Sequence, residues 1–227
     1  MKRNLKIISL LLVTVLTLGL FGCSGEEPDR EYDEAEVLSA AGRLIKLSET
    51  LNRIYYGEGI GYTDGEGAVG AYKPADTAEL KRLGFSTVEE LKAKTRVVFS
   101  KKMSETMFNT VLSAVSDDDD TIIQYARYYQ ESDKQGNPIR IMVLSSYDYF
   151  LKNGIEYGEN ITVLDVEGQI IKIGVPVTLT REDGKVKTKT LTVDMIEEED
   201  GWRLASPTYS IYNESTDKYE DLLDQLG

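Results

Sequence analysis

Hydrophobic spacing changes period once along this chain, near Thr121, and that single change limits the folds open to it. Before it, apolar residues recur at helical intervals. Val37, Ala41, Leu44, Ser48, Leu51 and Tyr55 fall on one stripe, flanked by Leu38, Ile45 and Ile54, behind an Asp33/Glu36 pair with capping-box spacing. The stripe predicts a helix over 34–56, roughly 34 Å long and able to cross a whole sheet. Ser86-Thr-Val-Glu89 reads as a further capping box, opening a helix to about Val97. Ser100 can cap another, with Met103, Met107, Phe108, Val111 and Val115 on its inner side.

Beyond Thr121 the period is that of strands. Segments 121–130, 139–146, 161–166, 169–180, 186–197 and 202–206 read as extended, and Asp183-Gly184 and Asp200-Gly201 are hairpin signals. Leu191, Val193 and Met195 alternate with Thr190, Thr192 and Asp194, which predicts a sheet with one wet face. Pro176 cannot donate to a ladder, so its strand is expected to be bulged or at an edge there. Segment 216–226 reads as a short terminal helix. Helices first and an antiparallel meander last make this an α+β fold, a long N-terminal helix plus shorter helices packed on a curved antiparallel sheet.

The first 23 residues lie outside that pattern. Met1-Lys-Arg-Asn-Leu-Lys is basic, an apolar run follows from Ile7 to Leu20, and the run closes on Leu20-Phe21-Gly22-Cys23. This resembles a bacterial lipoprotein signal peptide with its lipobox. The resemblance implies cleavage before Cys23 and acylation of its thiol, so residues 1–22 are an export address, 23–33 a lipidated tether and 34–227 the domain. The apolar run is short for a membrane-spanning helix, which needs about 20 residues. The expected location is extracytoplasmic, lipid-anchored to the cell membrane. Cys23 is the only cysteine. Without disulfides the exported part has to be stabilised by burial alone.

The whole chain carries a net charge of −13, and removing Lys2, Arg3 and Lys6 with the leader takes it to −16. Such a surface repels nucleic acid, so no nucleic-acid partner is expected. There is no histidine. Ser-His-Asp and Cys-His nucleophiles, histidine acid–base catalysis and histidine-ligated zinc are therefore removed together. Four aspartates at 117–120 splay apart and lack the central glycine of a calcium loop, and the acidic run 197–200 sits at an expected hairpin tip. Both read as solvated turns, and no metal or cofactor is expected. Gly65-Glu-Gly67-Ala-Val-Gly70 has dinucleotide-loop spacing, but a helix precedes it and Tyr72-Lys73-Pro74 follows, so 57–73 reads as a flexible loop. Ser215-Thr-Asp-Lys218 has the spacing of serine enzymes that bind penicillin, yet the chain ends nine residues later with no downstream Lys-Thr-Gly strand.

A long helix, shorter helices and hairpins ending in Glu199-Asp-Gly-Trp202-Arg-Leu-Ala-Ser-Pro207 resemble the nuclear transport factor two-like, or cystatin-like, cone over about 34–207. Members of that superfamily wrap a bent sheet around the long helix, and their last strands often read acidic-x-Gly-Trp-Arg-apolar. The loop over 57–85 departs from the compact family form. The resemblance implies an open-ended pocket between sheet and helix, and it directs attention to the aromatic cluster Tyr125, Tyr128, Tyr129, Tyr147, Tyr149 and Phe150. Tyr125, Tyr147, Asp148 and Tyr149 are the ligand-binding candidates, because tyrosines stack on a ligand and offer phenolic hydrogen bonds. The expected function is a non-catalytic binding module of the cell envelope, for an envelope protein or a small apolar or carbohydrate ligand, with a homodimer through the sheet face as a further expectation. The alternative is a carboxylate/tyrosine acid–base isomerase or hydro-lyase on the same cone. It would need Asp148, Asp165 or Asp194 desolvated beside a tyrosine.

Overall fold

In the computed structural model of this chain the structure describes residues 32–64, 67–116, 122–149, 154–180, 184–213 and 218–221. Cys23, the aspartates at 117–120 and Phe150 lie outside those residues. The Asp33 carboxylate accepts from the Ala35 and Glu36 amides, and the chain enters α1, Glu34–Tyr56. Every residue of the expected stripe is buried, together with Ala40, Ile45, Asn52, Ile54 and Tyr56.

The stretch read as loop over 57–85 contains two elements. Strand β1, Tyr72–Pro74, is three residues at a sheet edge, where a proline costs no ladder bond. Helix α2, Thr77–Leu83, is capped by the Asp76 carboxylate accepting from Ala78 and Glu79, and ends at Gly84 with φ +74°. A seven-residue helix is too short to display a period, so only its caps betray it. Helix α3, Val88–Val98, starts one residue later than the expected box: Thr87 Oγ1 accepts from the Glu90 amide, while the Glu90 carboxylate accepts from the Ser86 amide and hydroxyl. In α4, Lys101–Leu112, Ser100 caps as expected, and Met103, Met107, Phe108 and Val111 are buried. Glu198, from the acidic run read as a solvated turn, accepts from the Lys101 amide at 2.9 Å. It supplies the negative charge that the first turn of α4 lacks.

Two antiparallel sheets follow, one of them strongly curled. After the short pair β2, Val115–Ser116, and β3, Ile122–Gln124, the chain breaks at 125–127 and resumes as β4, Tyr128–Ser132. The expected strand over 121–130 is thus two strands. Its break lets the Arg127 amide bond to Val111 O. Strand β5, Pro138–Leu144, completes the order β1-β5-β4.

The larger sheet is built on β8, Ile170–Thr180, and β9, Val186–Glu198, paired without interruption from Ile170↔Ile196 to Thr180↔Val186. Ile171, Ile173, Val175, Val177 and Leu179 face inward with Leu191, Val193 and Met195, while Thr190 and Thr192 face water. Strand β10, Gly201–Leu204, borders β9. On the other side of β8 lie two short strands, β6, Gly154–Tyr157, and β7, Thr162–Glu167. Pro176 is therefore in a central strand with no bulge against β9. Its carbonyl accepts from Gly158 at 2.7 Å, so its missing donor falls in the gap between β6 and β7. The expected terminal helix over 216–226 is corrected where it is described: Lys218–Asp221 forms β12, paired with β11, Ser210–Asn213. A helical segment that short is marginal alone, and β11 offers its backbone a partner instead.

Helix α1 packs on β7, β10, α3 and α4, and a parallel bridge of Phe99 to Leu204 joins the helices to the sheet. The motif at 200–204 has a structural task. Arg203 is buried; it pairs with Asp200 at 2.5 Å and donates to Arg96 O and Trp202 O, fastening the β9–β10 hairpin to α3 while Trp202 and Leu204 enter the core. The chain is α+β, with helices packed on a curved antiparallel sheet.

Candidate ligand-binding site

The last turn of α1 leaves carbonyls without helical partners, and a buried cation meets them. Arg127 is 3% exposed and donates to Ile54 O, Tyr55 O and Gly57 O at 3.2, 3.2 and 2.8 Å. Its charge sits at the negative end of the helix dipole, which is how it stays buried with no carboxylate of the described residues bonded to it. The guanidinium also lies 4.7 Å from the Tyr147 ring centre and 5.3 Å from that of Tyr128. Tyr128 donates to Ile54 O and accepts from the Ile60 amide.

Beside this cap lies a set of tyrosines. The rings of Tyr56 and Tyr209 are 4.9 Å apart, and Tyr147 is close enough to raise the pKa of both. The hydroxyls of Tyr56, Tyr147 and Tyr209 are buried and make no hydrogen bond of good geometry among the described residues. Burial is the main force pushing these phenols, and those of Tyr55 and Tyr157, above their ordinary pKa. They are neutral hydroxyls, able to donate and accept but not to act as tyrosinate bases.

One turn back along α1, a polar network ties the helix to the segment after β10. Ser48 donates to Ile45 O, and Thr208 Oγ1 lies 2.8 Å from Ser48 Oγ. Asn52 Nδ2 donates to Thr208 Oγ1 at 2.7 Å and to the Tyr157 hydroxyl at 3.3 Å, and Tyr157 donates to Thr208 O. Every donor here is used. The acceptor Asn52 Oδ1 is left over, buried and without a partner among the described residues. Asn52 also lines a groove of about 590 Å³ with Lys46, Glu49, Thr50, Arg53, Gly57, Glu58, Tyr149, Gly154 and Ile155. Arg53 pairs with Glu58 on its rim.

The candidates chosen from sequence separate. Tyr149 lines this groove and Tyr147 belongs to the tyrosine set behind it. Asp148 is exposed. Tyr125 is 56% exposed and sits near Tyr72, which meets Tyr129 edge-on at 4.8 Å on the smaller sheet. Asp165 is exposed and Asp194 half-buried, and no carboxylate is buried among the described residues. None of these three carboxylates is desolvated as that acid–base chemistry needs. Nor do three or more metal-ligating side chains gather among the described residues. Four residues went unnoticed in the sequence: Asn52, Thr208, Tyr209 and Arg127 carry no local signal, because their partners are far along the chain. On the outward face of the larger sheet, threonines surround the exposed Leu164 and Val186. No helix among the described residues is long and apolar enough to cross a membrane. No protein-family model, curated protein or solved structure matches this chain.

Proposed function

We propose that this chain is an envelope lipoprotein, held at a membrane by an acylated Cys23, whose nuclear transport factor two-like cone binds a polyhydroxylated ligand of glycan type without transforming it. The observation that carries the reading is the groove over α1. Asn52 and the Tyr149 side chain line it together with both Lys46 and Arg53 and both Glu49 and Glu58. Sugar hydroxyls donate and accept in turn, so carboxylates and cations side by side serve them better than one sign of charge. The apolar face of a sugar ring stacks on an aromatic ring. Asn52 Oδ1 is buried and has no donor among the described residues, at a cost of about 1–3 kcal/mol, and a ligand hydroxyl that reaches it on a small shift of the groove lining offsets that cost.

Calorimetric titration of the full chain with soluble cell-wall glycan fragments tests this. Saturable binding is expected, weakened about tenfold, or about 1.4 kcal/mol, by Asn52→Leu or Tyr149→Ala. Absence of binding to every fragment, or binding that both variants preserve, ends the reading. The anchor is tested separately by incorporation of labelled fatty acid, which Cys23→Ser is expected to abolish; a wild-type chain that takes up no label ends that part.

A further inference from the structure

The exposed ridge of α1 at Lys46 and Thr50 has a second groove on its other side. With 100° between successive helical residues, Glu49, Asn52 and Arg53 fall on one flank of that ridge and Arg43, Leu47 and Leu51 on the other. The second groove is about 630 Å³, within the range of small-ligand sites, and α1, α2 and α3 form its walls. Its floor is hydrocarbon: Leu47 is 44% and Val97 50% exposed, beside Leu51, Leu83 and Val98. Its rim is cationic, from Arg43, Lys46, Arg82 and Lys94, and among the described residues no carboxylate lines it.

That composition runs against the rest of the molecule, which has 39 acids to 26 bases. Arg43 and Lys46 make no ion pair among the described residues, and Arg82 shares Glu79 with Arg53 and the Gly61 amide. Glu90, the acid nearest Lys94 on its own helix, feels that charge but is hydrogen-bonded to Ser86, and Lys94 forms no ion pair among the described residues. Exposed hydrocarbon below a ring of under-neutralised cations complements one kind of ligand. The long Arg and Lys stems extend the apolar wall and leave their charges at its lip. A neutral apolar molecule leaves those charges unanswered, and a cation is repelled.

We propose that this groove binds single anionic amphiphiles, an alkyl or aryl body bearing a carboxylate or phosphate head, with the body on Leu47 and Val97 and the head among Arg43, Lys46 and Lys94. The full chain in discs of zwitterionic lipid is titrated with octyl phosphate, octanol and octyltrimethylammonium, with empty discs subtracted. Octyl phosphate is expected to saturate one site about tenfold more tightly than octanol, with no saturation by the cation. Arg43→Glu with Lys94→Glu, both exposed positions that leave the core intact, is expected to lower the octyl phosphate affinity at least about tenfold, and Leu47→Asp likewise. Asn52→Leu leaves it unchanged, which separates this site from the glycan groove. Equal binding of all three probes overturns the proposal, as does no saturation, or an affinity indifferent to the charge-reversed pair. Saturation seen only when the disc itself carries anionic lipid also overturns it, because the surface would then be recognising a bilayer.

Discussion

Arg127→Met removes the cation that closes α1 while keeping a side chain of similar length. Three carbonyls lose a donor, but not equally. Ile54 O keeps the Tyr128 hydroxyl at 2.8 Å, whereas Tyr55 O and Gly57 O are left without the guanidinium. Two unpartnered buried acceptors cost about 2–6 kcal/mol together, and the lost stacking on Tyr147 adds about 1 kcal/mol. Relief from burying a guanidinium offsets part of this, so the expected net loss is about 3–4 kcal/mol. With a urea slope of about 2 kcal/mol/M, the unfolding midpoint falls by about 1.5–2 M. Trp202 is the only tryptophan and is buried, so its fluorescence reports the transition. Arg127→Lys keeps the charge but not the fork, and falls between the two. A loss below about 1 kcal/mol in Arg127→Met, or a gain, refutes the assignment of this residue as the helix cap.

Gly59 has φ +86°, and a Cβ there would stand 2.1 Å from Arg127 Nη2 and 2.5 Å from the Tyr128 hydroxyl. Gly59→Ala is expected to cost about 2–4 kcal/mol, and clearly less in an Arg127→Met background; simple additivity in the double mutant would contradict the contact. Thr208→Val removes the hydroxyl shared by Ser48 and Asn52, while Asn52 keeps Tyr157 and Ser48 keeps Ile45 O. It should cost about 1–2 kcal/mol in the same unfolding assay, and no change would show that the network adds nothing to stability. Burial pushes the Tyr128 phenol up to about 12, and Tyr55, Tyr56 and Tyr209 upward too. A raised folded pKa means the unfolded chain releases these protons first. Stability is therefore level below about pH 10 and falls as pH rises from there toward the folded value. Tyrosinate absorbance should appear in an exposed set first and in a buried set only with loss of circular dichroism; one reversible step for all tyrosines refutes this.

Much of the fold was legible because its signals are local. Asp33 and the stripe behind it define α1, and the alternation through Leu191, Val193 and Met195 defines the wet and dry faces of β9. Short elements were lost. Helix α2 offered only Asp76 and Gly84 as caps, and β6 is four residues. Pro176 shows a correct physical premise with an unforeseen solution: the ladder is interrupted beside the proline instead of the strand bulging around it. The candidate site was half legible. Aromatic enrichment pointed to Tyr147 and Tyr149, but nothing near Asn52 in the sequence announces Thr208, which lies 156 residues away. Tyr125 looked equivalent to them and is not, since the break at 125–127 puts it on the other sheet's surface.

That separation of Asn52 and Ser48 from Thr208 also orders events in time. A chain is synthesised from its N-terminus, so α1 exists long before its closing partner, 160 residues from Ser48, has left the ribosome. Bringing ends that far apart together costs on the order of 4–5 kcal/mol in loop entropy from the length-dependent part alone. Until then Ile54, Tyr55 and Tyr56 have no finished core to enter, and the helix waits with its apolar stripe uncovered. A nascent form of this protein is therefore expected to expose that stripe, and arrest anywhere before residue 208 should leave it dependent on a chaperone.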